Sequence, residues 1–128
     1  MAMKSHGAHV MLDYTGFFSN EENLGEWMLN LIETAVDQST ARRVHSHAEE
    51  FDGIKSPPGF AAVVLLDESH VSAHCYSDKG WLALDCFTCG NTDPNTIAEI
   101  IHSKLEQEIS ELKLVNRTQQ SRFMHERV

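Results

Sequence analysis

The sequence predicts an α+β fold, a two-layer α/β sandwich in which an antiparallel sheet carries two helices on one face. Three observations support this prediction. Strand-like segments follow one another between residues 60 and 89, amphipathic helical segments lie on either side of them, and 128 residues suit a single domain. The predicted order of elements is β-α-β-β-β-α-β.

The first part of the chain predicts a strand and a helix. Residues 8–14 (AHVMLDY) are typical of a short strand, and Ser19 and Glu22 have the spacing of a capping box at a helix start. Apolar residues then recur at helical spacing, which predicts a helix at about 21–37. Residues 41–51 form a weaker strand candidate, and the two prolines of DGIKSPPG (52–59) predict a loop.

The middle of the chain predicts three consecutive strands. Residues 60–67 (FAAVVLLD) form a continuous apolar run, residues 70–76 (HVSAHCY) alternate polar and apolar, and residues 80–89 (GWLALDCFTC) follow after the turn-like SDKG. Several large apolar side chains on these strands make the sheet too apolar for full exposure of its uncovered face. We therefore expect a dimer.

A second helix is predicted after Gly90. Asp93 suits the N-cap and Pro94 the first helical position, and isoleucines and leucines from residue 97 to 109 line one face. The segment ELKLV (111–115) predicts a last strand, followed by a polar tail.

The composition limits the kinds of partner and the compartment. A formal net charge of −9 weighs against nucleic acid or an anionic membrane as a partner. The sequence has no apolar run of membrane-spanning length, and residues 1–11 lack the apolar core of a signal peptide, so a cytoplasmic location is expected. Three cysteines within residues 75–89 then indicate a metal site or a reactive thiol rather than a disulfide.

Reactive residue types are concentrated in DESHVSAH (67–74) and DCFTCG (85–90). They could simply be strand and core residues, since free cysteine is often buried. A zinc site is a second interpretation, but two histidines four residues apart on a strand lie about 13 Å from each other, too far for one metal. Cysteine–histidine nucleophilic catalysis is a third, and the redox use of CFTC is weaker because it ends a strand rather than starting a helix.

These residues also carry a resemblance. LLDESHVSAH (65–74), GWLALDCFTCG (80–90) and the DP that opens the second helix resemble the short prokaryotic form of S-adenosylmethionine decarboxylase, a pyruvoyl-dependent family made as a proenzyme. GAHVMLDYTG (7–16) is similar to the opening strand of that family. The resemblance spans about residues 7–109, and its specific part is 67–90.

The resemblance implies that the chain cuts itself between Glu68 and Ser69. The products would be a β chain, 1–68, and an α chain, 69–128, whose former Ser69 becomes a pyruvoyl group that forms a Schiff base with the substrate amine. It further implies that His74 accepts a proton during processing and that Cys89 donates a proton in catalysis. No metal is expected, and cleaved protomers would form a homodimer with sites at the interface.

Substrate recognition is where the sequence departs from the family pattern. By the resemblance, Glu68, Tyr76 and Asp78 contact the substrate, but Tyr76 replaces a tryptophan and Asp78 a glutamate. Lys55 stands where an aromatic residue is usual, so Phe51 is expected to take that place, and Ala61 replaces a hydroxyl residue that assists processing. The expected substrate is S-adenosylmethionine, for spermidine biosynthesis.

Two alternatives remain open at this point. Relatives with this scaffold decarboxylate ornithine or arginine, and here three acidic residues near the loop could hold a distal cation: Glu49, Glu50 and Asp52. More distant is a non-catalytic or zinc-binding protein of the same fold.

Overall fold

A single six-stranded sheet organises the protein in the computed structural model, which describes residues 2–126. Every neighbouring pair of strands is antiparallel, and the spatial order is β2-β3-β4-β5-β1-β6. The elements along the chain are β1 (Met3–Thr15), α1 (Leu24–Asp37), β2 (Arg43–Phe51), β3 (Gly59–Leu66), β4 (His70–Tyr76), β5 (Trp81–Cys89), α2 (Pro94–Glu108) and β6 (Lys113–Glu126).

The core lies between the sheet and the two helices. Alternate residues of the central strands point to this side, as in the run Val10, Leu12 and Tyr14 of β1, all of which are buried. Helix α1 packs on β2 and β3, α2 packs on β5 and β1, and the helices contact each other. The predicted fold class is confirmed. Neither helix of the described residues is long and apolar enough to cross a membrane.

The other side of the sheet carries no helix within residues 2–126, and we call it the open face. The alternation and the strand register place on it His9 and Met11 of β1, Leu65 of β3, His70, Ser72, His74 and Tyr76 of β4, and Trp81, Asp85 and Phe87 of β5. Leu65, Tyr76 and Trp81 are 42%, 46% and 49% exposed. Such large exposed apolar side chains are typical of a surface that another molecule covers.

Three details differ from the sequence prediction. The weak candidate at 41–51 forms a true strand, β2, so the order is β-α-β-β-β-β-α-β. The last strand does not end near residue 115 but continues to Glu126 as an edge strand beside β1. Helix α1 starts at Leu24 rather than at about residue 21. The predicted capping box does not form, because the Ser19 hydroxyl accepts only the Glu21 N–H.

A carboxylate from β2 caps α1 instead. The two oxygens of Glu50 accept the backbone N–H groups of Gly25 and Glu26, each at 3.0 Å. These donors have no partner inside the helix, and a negative charge is favourable at this end. By contrast, α2 begins as predicted, with Asp93 accepting the Asn95 N–H at 2.9 Å and Pro94 in the first turn.

Candidate active site

The predicted cleavage point lies in the tight turn between β3 and β4. The Leu66 N–H donates to the Ser69 carbonyl at 2.8 Å, which closes the turn around Asp67 and Glu68. Glu68 is exposed and Ser69 half-buried. Arg42 holds the start of this turn with two hydrogen bonds to the Asp67 carboxylate, at 2.5 and 3.2 Å. The peptide between residues 68 and 69 is therefore accessible but anchored.

Cys89 ends β5 directly beside this peptide. Its thiol donates to the main-chain carbonyl oxygen of Glu68 at 3.8 Å, within the range of a hydrogen bond to sulfur. Burial raises the pKa of the Cys89 thiol, and the negative charge of Glu68 raises it further. The group therefore stays protonated at neutral pH and can serve as a proton donor.

Gly7 of β1 makes the close approach of these strands possible. A Cβ at this position would lie 2.9 Å from the Thr88 carbonyl oxygen and 3.3 Å from the Cys89 sulfur. A small cavity of about 130 Å³ adjoins the turn, and Ser69, Thr88 and Cys89 contribute to its lining. The Thr88 hydroxyl is already engaged, because it donates to the Thr92 carbonyl at 2.7 Å.

His74 lies away from Ser69 within one copy of the chain. It is five residues further along an extended strand, which corresponds to about 16 Å at 3.3 Å per residue. Its side chain is exposed on the open face, and its strand neighbours are Ala61 and Ala83. The structure thus does not bring the predicted processing histidine to the predicted cleavage point of the same chain.

Apart from Glu68, the predicted substrate contacts lie at the end of the sheet farthest from the turn. Tyr76 is the last residue of β4, and its ring meets the edge of Trp81 at 5.7 Å between centroids. Asp78, Lys55 and Phe51 line an open cleft of about 880 Å³ between the β2–β3 loop and the β4–β5 turn. Six residue steps, or about 20 Å, separate the two ends of β4. The predicted residues therefore form two groups at opposite ends of the sheet.

The acidic residues offered for a distal cation already have partners. Glu50 caps α1, Asp52 accepts the Ile54 N–H at 3.0 Å, and Glu49 pairs with His47 at 2.9 Å. These carboxylates therefore bind other groups of the chain and do not converge on one point at which a substrate cation could bind.

Sequence reasoning missed a polar cluster on the open face beside the turn. His9 Nε2 lies 3.0 Å from an oxygen of Asp85, and the His9 and His70 rings both pack on Phe87 at 5.6 Å. Burial lowers the pKa of His70, and His9 and Arg122 add to the effect against the opposing charge of Asp85. The alternation of each strand placed these residues on one face, but only the register of β1, β4 and β5 brings them together.

No metal centre is found among the described residues. Within residues 2–126, no three histidine, cysteine, aspartate or glutamate side chains are grouped so that they could hold an ion. Cys75 and Cys86, two of the candidate ligands, are buried in the core, where desolvation raises the pKa of each thiol to about 12.

Known proteins resemble the chain over most of its length. A profile of the family described as S-adenosylmethionine decarboxylase matches residues 8–118. The S-adenosylmethionine decarboxylase proenzyme of Brevibacillus brevis is 35% identical over 109 residues, covering 84% of this chain and 79% of that protein. A second relative, S-adenosylmethionine decarboxylase proenzyme 2 of Bacillus cereus, is 35% identical over 108 residues, with 83% and 84% covered.

A solved structure agrees in fold. The crystal structure of the adenosylmethionine decarboxylase of Aquifex aeolicus superposes with a TM-score of 0.66 at 28% identity, covering 97% of this chain and 92% of that one. The resemblance noted in the sequence, the matched profile and this shared architecture lead to one conclusion: the chain belongs to the S-adenosylmethionine decarboxylase family.

Proposed function

We propose that this protein is a pyruvoyl-dependent decarboxylase of S-adenosylmethionine that makes its own cofactor by cleavage between Glu68 and Ser69. The observation that carries the proposal is the contact of the Cys89 thiol with the Glu68 carbonyl. In the proposed reaction this thiol acts as a proton donor to the carbonyl whose carbon the serine attacks. The same thiol is then beside the electrophilic group once the peptide has been cut.

Self-cleavage uses atoms of the turn alone, apart from one base and one water. The Ser69 hydroxyl adds to the Glu68 carbonyl carbon, the C–N bond breaks, and Glu68 becomes the acyl group of an ester on Ser69. A base then removes the Ser69 α-proton, and the Glu68 carboxylate leaves. Hydrolysis of the resulting enamine releases ammonia and leaves a ketone at the start of residues 69–128, with residues 1–68 as the other chain.

The residues around the turn fit such a ketone. A carbonyl group that condenses with the substrate amine supplies an acceptor for the electrons released with carbon dioxide. Cys89, protonated at neutral pH because its pKa is raised, is the proton donor to the substrate α-carbon. Glu68 stays beside the site after cleavage, since its side chain lies 3.4 Å from His6.

A second copy of the chain completes the site. His74, Tyr76, Asp78 and Phe51 lie at the far end of the sheet from Ser69, so a single copy cannot bring both groups to one substrate. A two-fold axis that lies between two facing open faces, parallel to them and perpendicular to the strands, would lay the far end of one copy over the turn of the other. We therefore propose a homodimer joined through the open face, in which His74 of one copy accepts the Ser69 α-proton of the other.

The substrate is the adenosyl compound rather than a basic amino acid. Tyr76 and Phe51 offer exposed aromatic surface for a purine, and Asp78 offers a carboxylate for ribose hydroxyls. The engaged carboxylates of Glu49, Glu50 and Asp52 argue against an ornithine or arginine site there. The product would serve as an aminopropyl donor for spermidine biosynthesis.

The test compares three substrates and one variant. Purified protein should release carbon dioxide from S-adenosylmethionine far faster than from ornithine or arginine, and Ser69→Ala should abolish the release while the protein stays folded. Equal activity of Ser69→Ala would contradict the pyruvoyl mechanism. Faster release from ornithine or arginine would agree with the pyruvoyl mechanism but contradict S-adenosylmethionine as the substrate.

A further inference from the structure

The end of β6 lies beyond the part of the chain that matches the family. The matched region stops at residue 118, whereas the strand stays paired with β1 as far as the Met3–Glu126 pair. The segment 119–126 thereby reaches the end of the sheet that holds the Glu68–Ser69 turn. Its side chains Arg122 and Phe123 turn towards the open-face cluster.

Phe123 adopts a backbone conformation that a bulky residue rarely takes. Its φ of 52° is the one positive value for a residue other than glycine within residues 2–126. Such a conformation is costly for a phenylalanine, and glycine or asparagine would adopt it more easily. Strain of this kind persists where the surroundings impose it, and it is concentrated at functional sites.

The strained backbone places the Phe123 ring among residues that adjoin the reactive turn. The ring stacks on Phe87, with 5.7 Å between centroids and 28° between planes, and meets the His6 ring at 6.5 Å. His6 Nε2 in turn lies 3.4 Å from the Glu68 carboxylate. A line of contacts thus runs from Phe123 through His6 to the residue whose carbonyl is cleaved.

Arg122 fixes the neighbouring histidine from the other side. Its guanidinium lies 5.1 Å above Phe87, and one nitrogen is 3.3 Å from His9 Nδ1. A guanidinium can only donate, so Nδ1 accepts and Nε2 carries the proton that His9 donates to Asp85 at 3.0 Å. Both ring nitrogens of His9 are therefore committed, and its ring stays 6.2 Å from that of His70, the residue after Ser69.

We propose that the segment 119–126 is a brace for the Glu68–Ser69 peptide, with Phe123 as a positioning residue for self-cleavage. The inference rests on the self-cleavage proposed above. Phe123 touches none of the reacting atoms; it packs against His6, and His6 contacts the Glu68 carboxylate, which limits the movement of the peptide that is cleaved. A misplacement of about 1 Å can cost on the order of a hundredfold in rate.

The test separates cleavage from stability. Phe123→Gly and Phe123→Asn remove the ring and relieve the backbone, and Met124→Gly is the matched control, an exposed residue on the same strand. Cleavage is followed as the appearance of two fragments after a pulse of cell-free synthesis. Thermal unfolding is measured in a Ser69→Ala background, in which every chain stays intact.

We expect opposite results for the two positions. The Phe123 variants should unfold at the same or a higher temperature than their parent and yet cleave about ten- to a hundredfold more slowly. Met124→Gly should unfold at a lower temperature and cleave at the parent rate. The brace is overturned if the Phe123 variants cleave at the parent rate, or if cleavage slows only in step with stability at both positions. Failure of the parent itself to cleave would instead contradict the proposed function.

Discussion

Replacement of Cys89 by alanine should separate the two reactions of this site. The thiol contacts the Glu68 carbonyl at 3.8 Å, a long and weak hydrogen bond. A neutral hydrogen bond contributes about 0.5–1.5 kcal/mol, and 1.36 kcal/mol is a factor of ten in rate, so self-cleavage should slow by no more than about tenfold. Loss of a general acid slows turnover by about 10²–10⁴-fold, which corresponds to a rise of roughly 3–5 kcal/mol in the activation free energy.

The assay measures both rates on the same preparations. Cleavage is read as the fraction of chain cut, and turnover as labelled carbon dioxide released from carboxyl-labelled S-adenosylmethionine per cut chain. Cys75→Ala serves as the control, because Cys75 is a buried core thiol on β4 whose loss affects stability alone. Turnover of Cys89→Ala within about threefold of the parent, per cut chain, would show that this thiol is not the proton donor.

Four further outcomes follow from the geometry. The pKa of Cys89 is raised, and a proton donor must be protonated. Turnover should therefore persist as pH rises through about 8.5, the usual pKa of a thiol, and fall only above that pH. Cys89→Ser should not show this fall. Gly7→Ala should lower the unfolding temperature and also slow turnover, since its Cβ would lie 2.9 Å from the Thr88 carbonyl oxygen and 3.3 Å from the Cys89 sulfur, and normal kinetics would contradict this. Glu50→Ala should lower the free energy of unfolding by about 0.5–2 kcal/mol through loss of the α1 cap, whereas Glu49→Ala should be near neutral by denaturant titration. Leu65→Asp should give folded, inactive monomers in sedimentation, and an active Leu65→Asp monomer would rule out the shared site.

Local sequence signals predict the helices and the central strands, but not the features that depend on contacts between residues far apart in the sequence. Asp93 and Pro94 start α2 as expected, because both act on their own first turn. The start of α1 differed because its cap, Glu50, comes from a strand 25 residues away. The sequence predicts a polar tail where β6 ends, because an exposed edge strand pairs through its main chain and has no apolar alternation to reveal it.

The site was predictable in its parts and not in its arrangement. The resemblance to a known family pointed to Ser69 and Cys89, and the antiparallel register of β3, β4 and β5 explains why a turn and a strand end some twenty residues apart meet. The separation of Ser69 from His74 also follows from an extended strand. By contrast, the contacts of His9 with Asp85 and of Phe123 with Phe87 depend on the order of strands in the sheet, which no local pattern encodes.

Mass spectrometry of the purified protein, after denaturation has separated its polypeptides, tests self-cleavage most directly. Two polypeptides are expected, one ending at Glu68 and one comprising residues 69–128 with a pyruvoyl group in place of Ser69. One species with the mass of the unbroken 128-residue chain, in a preparation that releases carbon dioxide from S-adenosylmethionine, would contradict it.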